Sequence, residues 1–460
     1  MATHPITTTL TGPVRVALAP LAWLLAGVEA AVRRPSLVVA GTVLLVCLPS
    51  GIQDVSASGH ITAADLGAFL SVLILGVRLL AGDRVATRHG WLPYAALIAS
   101  LVLATVTAAD TGESIRGFIR YTELFVVVPV AVAMAVKDKL DVLLIAGAIV
   151  AVTAFEGAVG VYQYATQTGA SYAGAYIRAI GTFGAEQIMA LGALVGYGIC
   201  VTLALALSLT GRWRVVLLGV TAALALPLGF SFSRGAWIAT AAAVLLALVL
   251  YSWRLTFALA GTAALAVAVF ALAGASAGGS SSSRSVDQRI ASIFSSDSEP
   301  DRSVKDRYAL WATAIDIWAD HPVVGVGLKD FAQYRDSYAP LSLSSGSDVA
   351  DPSQGFRREP LLSAHNQYLM VLSEQGTVGG LAFGGLLGTL AVGAVRRRRD
   401  DEPPTPLPRF FDIAAPAIMA WTLIDFLYGD IGAGPTGVVL AILLGLVARR
   451  SVIIPAGSTR

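Results

Sequence analysis

Charge is what this sequence has least of. Asp, Glu, Lys and Arg make up 13% of its 460 residues, against about 25% in soluble domains, which excludes an ordinary water-soluble globular protein. The two cysteines, Cys47 and Cys200, lie far apart inside apolar runs. That pattern excludes a disulfide framework and reads as two small buried hydrophobes. Metal-ligand spacing is missing as well: there is no Asp-x-Asp pair and no Cys/His cluster. A Gly-rich phosphate loop with its lysine is absent. Nucleotide hydrolysis and nucleotide-sugar donors are thereby disfavoured. Period-2 alternation is lacking, which argues against a transmembrane β-barrel.

What is present is apolar sequence in long blocks. Hydrophobic residues make up 55% of the chain and its mean hydropathy is +0.71. The blocks run to roughly 17–25 residues, enough to span a hydrocarbon core as helix. Twelve can be drawn, at about 36–53, 61–82, 91–108, 118–136, 142–164, 186–208, 215–231, 235–251, 255–275, 368–394, 410–428 and 431–448. Val14–Val32 is also apolar, but Arg15, Pro20 and Glu29 interrupt it and no small-residue cleavage site stands out. It reads as an interfacial or half-inserted helix rather than a signal peptide. The expected fold is thus an all-α polytopic membrane protein of about 12 transmembrane helices. A large extracytoplasmic loop of short helices precedes the last three spans.

Orientation follows from the basic residues of the short connections. Arg33-Arg34, Arg84 with Arg88, Lys137 with Lys139, Arg212 with Arg214, Arg254, Arg396–Arg399 and Arg449-Arg450 fall on one side of a strict alternation. That side is expected to be cytoplasmic, with both termini there and the loop at 276–366 outside the cytoplasmic membrane. The chain divides into an N-terminal segment 1–35, nine spans over 36–275, the loop domain 276–366, three spans over 367–450 and a tail 451–460. Asp400–Pro408 reads as a charged, Pro-rich linker.

Within the large loop, Ala277–Ser283 is Gly/Ser-rich and flexible in character. Ser303-x-x-Asp306 has the form of a helix N-cap. Tyr308, Trp311, Ile315 and Trp318 follow at helical spacing, an aromatic face suited to seating the loop on the membrane domain or at headgroup level. Asp320-His321-Pro322 stops that helix, Gly325-Val326-Gly327 is a turn, and Leu341–Ser353 reads as a mobile polar segment.

His365 is distinguished by its place. The loop ends in Ala364-His365-Asn366 and a hydrophobic run resumes at Tyr368, so an ionisable imidazole stands where water meets the bilayer. Asn366 is suited to cap the next helix or to hold the imidazole in one tautomer. Gly376, Gly380, Gly384 and Gly388 then recur every four residues, a pattern that clears a helix face for close packing. Glu374 is an intramembrane carboxylate, either a functional group or half of an ion pair. Arginines are unexpectedly frequent on the outer side: Arg116 and Arg120 at one span end, Arg178 before Gly181-Thr182-Phe183-Gly184, Arg234 in a tight turn, and Arg307 on the loop helix. Guanidinium groups suit a diphosphate through forked hydrogen bonds and permanent charge, although snorkelling and salt bridges are the commoner fate of any single arginine.

These residues resemble the O-antigen ligase and Wzy-type polymerase superfamily of polytopic bacterial membrane glycosyltransferases. His365-Asn366 followed nine residues later by Gly376-x-x-Gly379 is similar to the histidine motif of the ligases. Arg307-Tyr-Ala-Leu-Trp311 with Asp320-His-Pro-Val-Val-Gly325-Val-Gly327 resembles the loop signature, Ser231–Trp237 the arginine turn, and Arg178–Gly184 the Gly-Thr-Phe-Gly segment. The likeness covers roughly 175–395. Ala185-Glu186-Gln187 departs from it, where an Asn-Pro-Asn-like segment is usual.

The resemblance implies en bloc transfer of a glycan from a polyprenyl diphosphate to an acceptor hydroxyl on the outer face of the membrane, with inversion, without metal and without any cofactor. His365 would be the general base. Arg178 and Arg234, with Arg120 and Arg307, would bind the diphosphate, and Asn366 would assist beside the histidine. Partners would be the lipid-linked glycan, a glycan, glycolipid or protein acceptor, and the bilayer, with no nucleic acid. A polysaccharide polymerase and a protein oligosaccharyltransferase of the same superfamily are close alternatives. A secondary transporter is a remote one, since the halves show no repeat.

Overall fold

The structure, a computed structural model, describes residues 27–49, 61–87, 91–172, 177–274, 302–343, 347–351, 355–359, 361–396, 407–431 and 434–455. His4, His60, His89, most of Val14–Val32, Ala277–Ser283 and most of the Asp400–Pro408 linker lie outside them. So do the side chain of Ser303 and with it the expected cap.

Helix is found in each of the twelve apolar blocks. In chain order the main helices are α1 (Ser36–Leu45), α2 (Ala63–Leu80), α3 (Leu92–Val106), α4 (Thr111–Ala135), α5 (Lys139–Thr166), α6 (Ala190–Ser208) and α7 (Arg212–Phe230). Then come α8 (Arg234–Gly274), α9 (Arg302–Asp320), α10 (Phe331–Tyr338), α11 (Gln367–Val395), α12 (Pro408–Asp425) and α13 (Pro435–Ser451). Side chains close the starts of several. Thr62 with Asp65, and Asp138 with Asp141, form reciprocal capping boxes, and the carboxylate of Asp110 accepts from the N–H of Glu113. Each cap satisfies amides that the first turn leaves unpaired.

By length and hydropathy, seven helices among the described residues suit a crossing, rather than twelve: α2, α4, α5, α6, α7, the first part of α8 and α11. The others fall short for separate reasons. α1 and α3 have only 10 and 15 residues, and α13 has 17. α12 carries Arg409 and Asp412, both exposed, and an internal Pro416, while Phe410, Phe411, Trp421 and nearly every residue of α13 are buried. The expected connection between the spans at 235–251 and 255–275 is a single non-helical residue, Ser252, inside α8.

Burial sorts the helices into layers. In α6, 94% of the apolar window is buried, against 17% in α7, so α6, α12 and α13 form the centre and α7 the rim. Trp421 of α12 is the pivot. Its indole Nε1–H donates to Thr240 Oγ1 at 2.9 Å, and its rings lie 4.0 Å from those of Tyr197. Gly196 makes room, since a Cβ there would fall 2.4 Å from that indole nitrogen.

Polar contacts gather at two ends. At one, Arg34 bridges Asp138 and Asp141, both at 2.9 Å, Lys137 meets Asp83, and Arg449 donates to the Val136 carbonyl. Strand β1 (Val85–Thr87) pairs there with β5 (Ile453–Pro455). These are connections expected to share one side. The other end holds a second sheet, β2 (Ser171–Tyr172), β3 (Ser347–Asp351) and β4 (Gly355–Glu359), in the order β2-β3-β4. The segment read as mobile therefore contains strand: β3 and β4 form a hairpin, and β3 takes Ser171 opposite Ala350. Backbone pairing with a separate loop supplies the order that its polar composition does not advertise.

Candidate functional site

His365 occupies a left-handed corner, at φ 48°, an uncommon position for a residue with a Cβ. Its surroundings hold it there. The His365 N–H donates to Ser363 Oγ at 3.0 Å. Asn366 caps α11, accepting from the Leu369 N–H at 3.1 Å, while its amide donates to the Leu427 carbonyl. The Gln367 N–H is shared by the carbonyls of Phe426 and Gly429 at 2.8 and 3.0 Å. The Gln367 side chain accepts from the Ile431 N–H and donates to the Tyr121 hydroxyl at 2.8 Å, and Tyr368 donates to the Leu423 carbonyl. Three consecutive residues thus staple the start of α11 to the turn 423–431, and that turn carries Asp425 and Asp430.

A four-membered charge cluster results. Asp430 lies within electrostatic reach of the His365 imidazole, and its carboxylate also faces the backbone N–H of His365. The charge of Arg307, on the first turns of α9, is felt at His365, Asp425 and Asp430 together. Burial pushes the His365 imidazole below its ordinary value; Asp430 opposes that shift and Arg307 reinforces it. The Asp430 carboxyl is raised by burial, against the steadying charges of His365 and Arg307. A neutral imidazole beside a carboxylate can take a proton and is stabilised once it has done so.

Behind the histidine, α11 is broken. Gly376 sits at φ 64°, ψ −167°, and the segment His321–Gly327 fills the gap. Val326 and Gly327 donate to the carbonyls of Ser373 and Glu374 at 3.0 and 2.9 Å, while Thr377 and Val378 donate to those of Pro322 and Val323 at 2.8 and 3.2 Å. A Cβ on Gly376 would lie 2.3 Å from Val323 O, and one on Gly325 2.3 Å from the Glu374 carbonyl carbon. The glycine period was expected to pack a helix face, and here the structure differs. A Cβ at Gly384 or Gly388 meets nothing within 4 Å, and at Gly379 or Gly380 it meets side chains of α11 itself. Glu374 forms no ion pair among the described residues; its carboxyl faces the backbone N–H groups of Lys329 and Phe331.

The loop helix docks with a face other than the aromatic one. Leu310, Ala314 and Ile317 are buried while Tyr308 and Ile315 are exposed. From the aromatic stripe, Trp318 reaches the span, donating to Thr377 Oγ1 at 3.2 Å.

The arginines separate into groups. Arg178 is buried and bridges to Ala170 through paired backbone hydrogen bonds; next to it, Ala179 donates to the Phe230 carbonyl at 3.0 Å. Phe230 ends the helix before the turn that presents Arg234, and Tyr164 stacks on its ring at 3.9 Å. The segments of Arg178 and Arg234 are therefore neighbours. A Cβ on Gly235 would lie 2.7 Å from Tyr428 Cβ, which sets the Arg234 turn against the turn that holds Asp430. Arg120 stands elsewhere, ion-paired to Asp65 at 2.6 Å and Glu123 at 3.1 Å and donating to the Gly434 carbonyl. Arg116 pairs with Glu113 on the surface. His321 packs edge-on against Tyr334, 5.6 Å between centroids.

Asp425 and Asp430 were not singled out in the sequence. A signal existed: Phe426-Leu-Tyr-Gly-Asp430 separates two apolar blocks on the side expected to be outer, though its length suggests only a tight turn.

Residues 219–384 match the family model described as O-antigen ligase. The stretch takes in the Arg234 turn, Arg307, His365 and Gly376, but neither Arg178 nor Asp430. No curated protein matches the chain. Over residues 219–384, somewhat more than a third of its length, the chain is similar to the O-antigen ligase family.

Proposed function

We propose that this protein is a glycosyltransferase that moves a glycan from a polyprenyl diphosphate to an acceptor hydroxyl at the outer face of the cytoplasmic membrane. His365 removes the acceptor proton as the oxygen bonds to the anomeric carbon. The glycosidic C–O bond to the diphosphate breaks, and polyprenyl diphosphate leaves with the electron pair. Arg178, Arg234 and Arg307 bind the diphosphate and offset its growing charge. Asp430 steadies the imidazolium that forms. Asn366 acts at one remove, as the cap that fixes the histidine corner, and Arg120 is a positioning residue through Asp65, Glu123 and Gly434.

The observation that carries this reading is the cluster itself: a half-buried histidine in a left-handed corner, flanked by Asp430 and Arg307, inside the stretch that matches the ligase family. The charge of Arg307 reaches Asp425 and Asp430, the Arg234 turn packs against Tyr428, and the Arg178 segment is hydrogen-bonded to Phe230 before the Arg234 turn, links that support an anion-binding role for these arginines. The donor chemistry comes from the family likeness, and the proton-transfer role from the corner.

Glycolipid analysis of a deletion strain tests it. Polyprenyl-diphosphate-linked glycan should accumulate, the wild-type chain should clear it, and His365→Ala, expressed and inserted to the same level, should not. Clearance by His365→Ala would remove the proposed base, and absence of any lipid-linked precursor would remove the donor.

A further inference from the structure

The segment from Arg178 to Gly184 has neither a helix nor a ladder to fix its backbone, yet every amide from 178 to 182 is used. The N–H of Arg178 donates to the Ala170 carbonyl at 2.7 Å, and that of Ala179 to the Phe230 carbonyl at 3.0 Å. Those of Ile180 and Gly181 both donate to Gln163 Oε1, at 3.0 and 2.9 Å, while Gln163 Nε2 donates back to the Gly181 carbonyl at 2.7 Å. The N–H of Thr182 donates to Glu156 Oε2 at 2.8 Å, and its hydroxyl to Glu156 Oε1 at 2.7 Å.

Glu156 and Gln163 stand two turns apart on one face of α5, with Gly160 between them. A Cβ at Gly160 would press on Leu191 and Ala179, at 2.7 and 3.2 Å, so the bare glycine lets the segment lie flat on the helix. Gly181 takes φ +66°, and a Cβ there would fall 2.3 Å from Glu156 Oε2. Glu156 is fully buried. A carboxyl group inside a long apolar helix is costly, and both oxygens of this one accept from Thr182 of the arginine segment, with the Cys47 thiol beside them.

We propose that Glu156 and Gln163 are positioning residues for the donor site. They template the 178–184 segment and so set where Arg178 stands relative to Arg234. This rests on the donor-site reading of those arginines. Neither residue touches substrate; each acts through the backbone it holds. The amide of Glu156→Gln can still accept from the Thr182 N–H and can donate to the Thr182 hydroxyl, so that variant should preserve the template. Glu156→Ala and Gln163→Ala should not.

Binding of undecaprenyl diphosphate to the full chain, purified in detergent, provides the test. Glu156→Ala and Gln163→Ala should each weaken Kd about tenfold, the scale of one strong anchoring hydrogen bond lost. Glu156→Gln should stay within about twofold, and Arg178→Ala sets the full loss. Should Glu156→Ala fail to fold by size exclusion, Thr182→Val, which deletes the hydroxyl contact but keeps the backbone N–H contact to Glu156 Oε2, takes its place with Gln163→Ala. If wild type binds, Arg178→Ala does not, and the alanine variants bind as wild type, the positioning role is overturned while the donor site stands. If wild type does not bind the probe, or Arg178→Ala binds it unchanged, the donor-site reading falls and takes this role with it.

Discussion

The backbone N–H of Ala179 donates to the carbonyl of Phe230 at 3.0 Å, which joins the segment of Arg178 to the turn of Arg234. Groups mounted on one hydrogen-bonded junction are expected to act as a unit. Arg178→Ala and Arg234→Ala should each raise the donor KM at least about tenfold, and the double variant should lose less than the product of the two. Steady-state transfer with varied lipid-linked donor measures this. Strict additivity would separate the two arginines into different sites.

If His365 is the base proposed above, the acid limb of activity should report it. Its imidazole is held below the ordinary value by burial, with Arg307 adding to that shift and Asp430 opposing it. The base is active when neutral, so transfer should persist below the pH at which an exposed histidine protonates, about 6.5. Arg307→Ala removes a lowering influence and should move the limb to higher pH. Asp430→Asn removes a raising one and should move it to lower pH, with a reduced maximum rate because the imidazolium loses its partner. A pH–rate profile for the three proteins decides the signs.

Gly376 and Gly384 belong to the same four-residue period but should behave oppositely. Gly376→Ala forces a Cβ toward Val323 O in a left-handed backbone, at a cost of about 2–4 kcal/mol. Gly384→Ala and Gly388→Ala meet no neighbour and should be neutral or gain up to about 1 kcal/mol from helix propensity. Thermal unfolding in detergent separates the cases.

Arg120→Ala leaves Asp65 and Glu123 facing each other without their shared cation. The cluster is only partly buried, so the loss should cost about 1–3 kcal/mol, and the variant should melt early while its folded fraction keeps a near-normal donor KM. An unchanged melting temperature with a much weaker donor KM would return Arg120 to the diphosphate.

Sidedness is open to chemical labelling. Asp336, whose side chain is 79% exposed on α10, should as Asp336→Cys react with an impermeant thiol reagent applied to intact cells. Cys47 and Cys200 are partly and fully buried and supply a low background. Reaction only after lysis would invert the topology.

Much of the helical content was legible, because long apolar blocks and acidic caps such as Asp138 and Asp110 are local signals. The cap role of Asn366 was legible for the same reason. What was not legible depended on partners far along the chain. Glu156 and Gln163 lie in or beside an apolar block and gain meaning only from the segment about twenty residues later that folds back onto them. Asp430 looked like part of a short turn until Gln367 tied that turn to the histidine. Gly376 read as a packing position because its spacing matched one; its positive φ is imposed by His321–Gly327, whose backbone replaces the missing helical hydrogen bonds. Leu341–Ser353 showed no alternation, and its strand owes its order to Ser171–Tyr172.

That interrupted helix also limits how such a chain can diverge. Four main-chain hydrogen bonds cross between Pro322–Gly327 and Ser373–Val378, and the glycines on each side leave no room for substitution on the other. The two stretches must be inherited, or transplanted, together. A chimera exchanging the loop before α11 between relatives should fold only when both of its breakpoints fall outside this matched pair, so that loop travels with the first turns of α11 behind it.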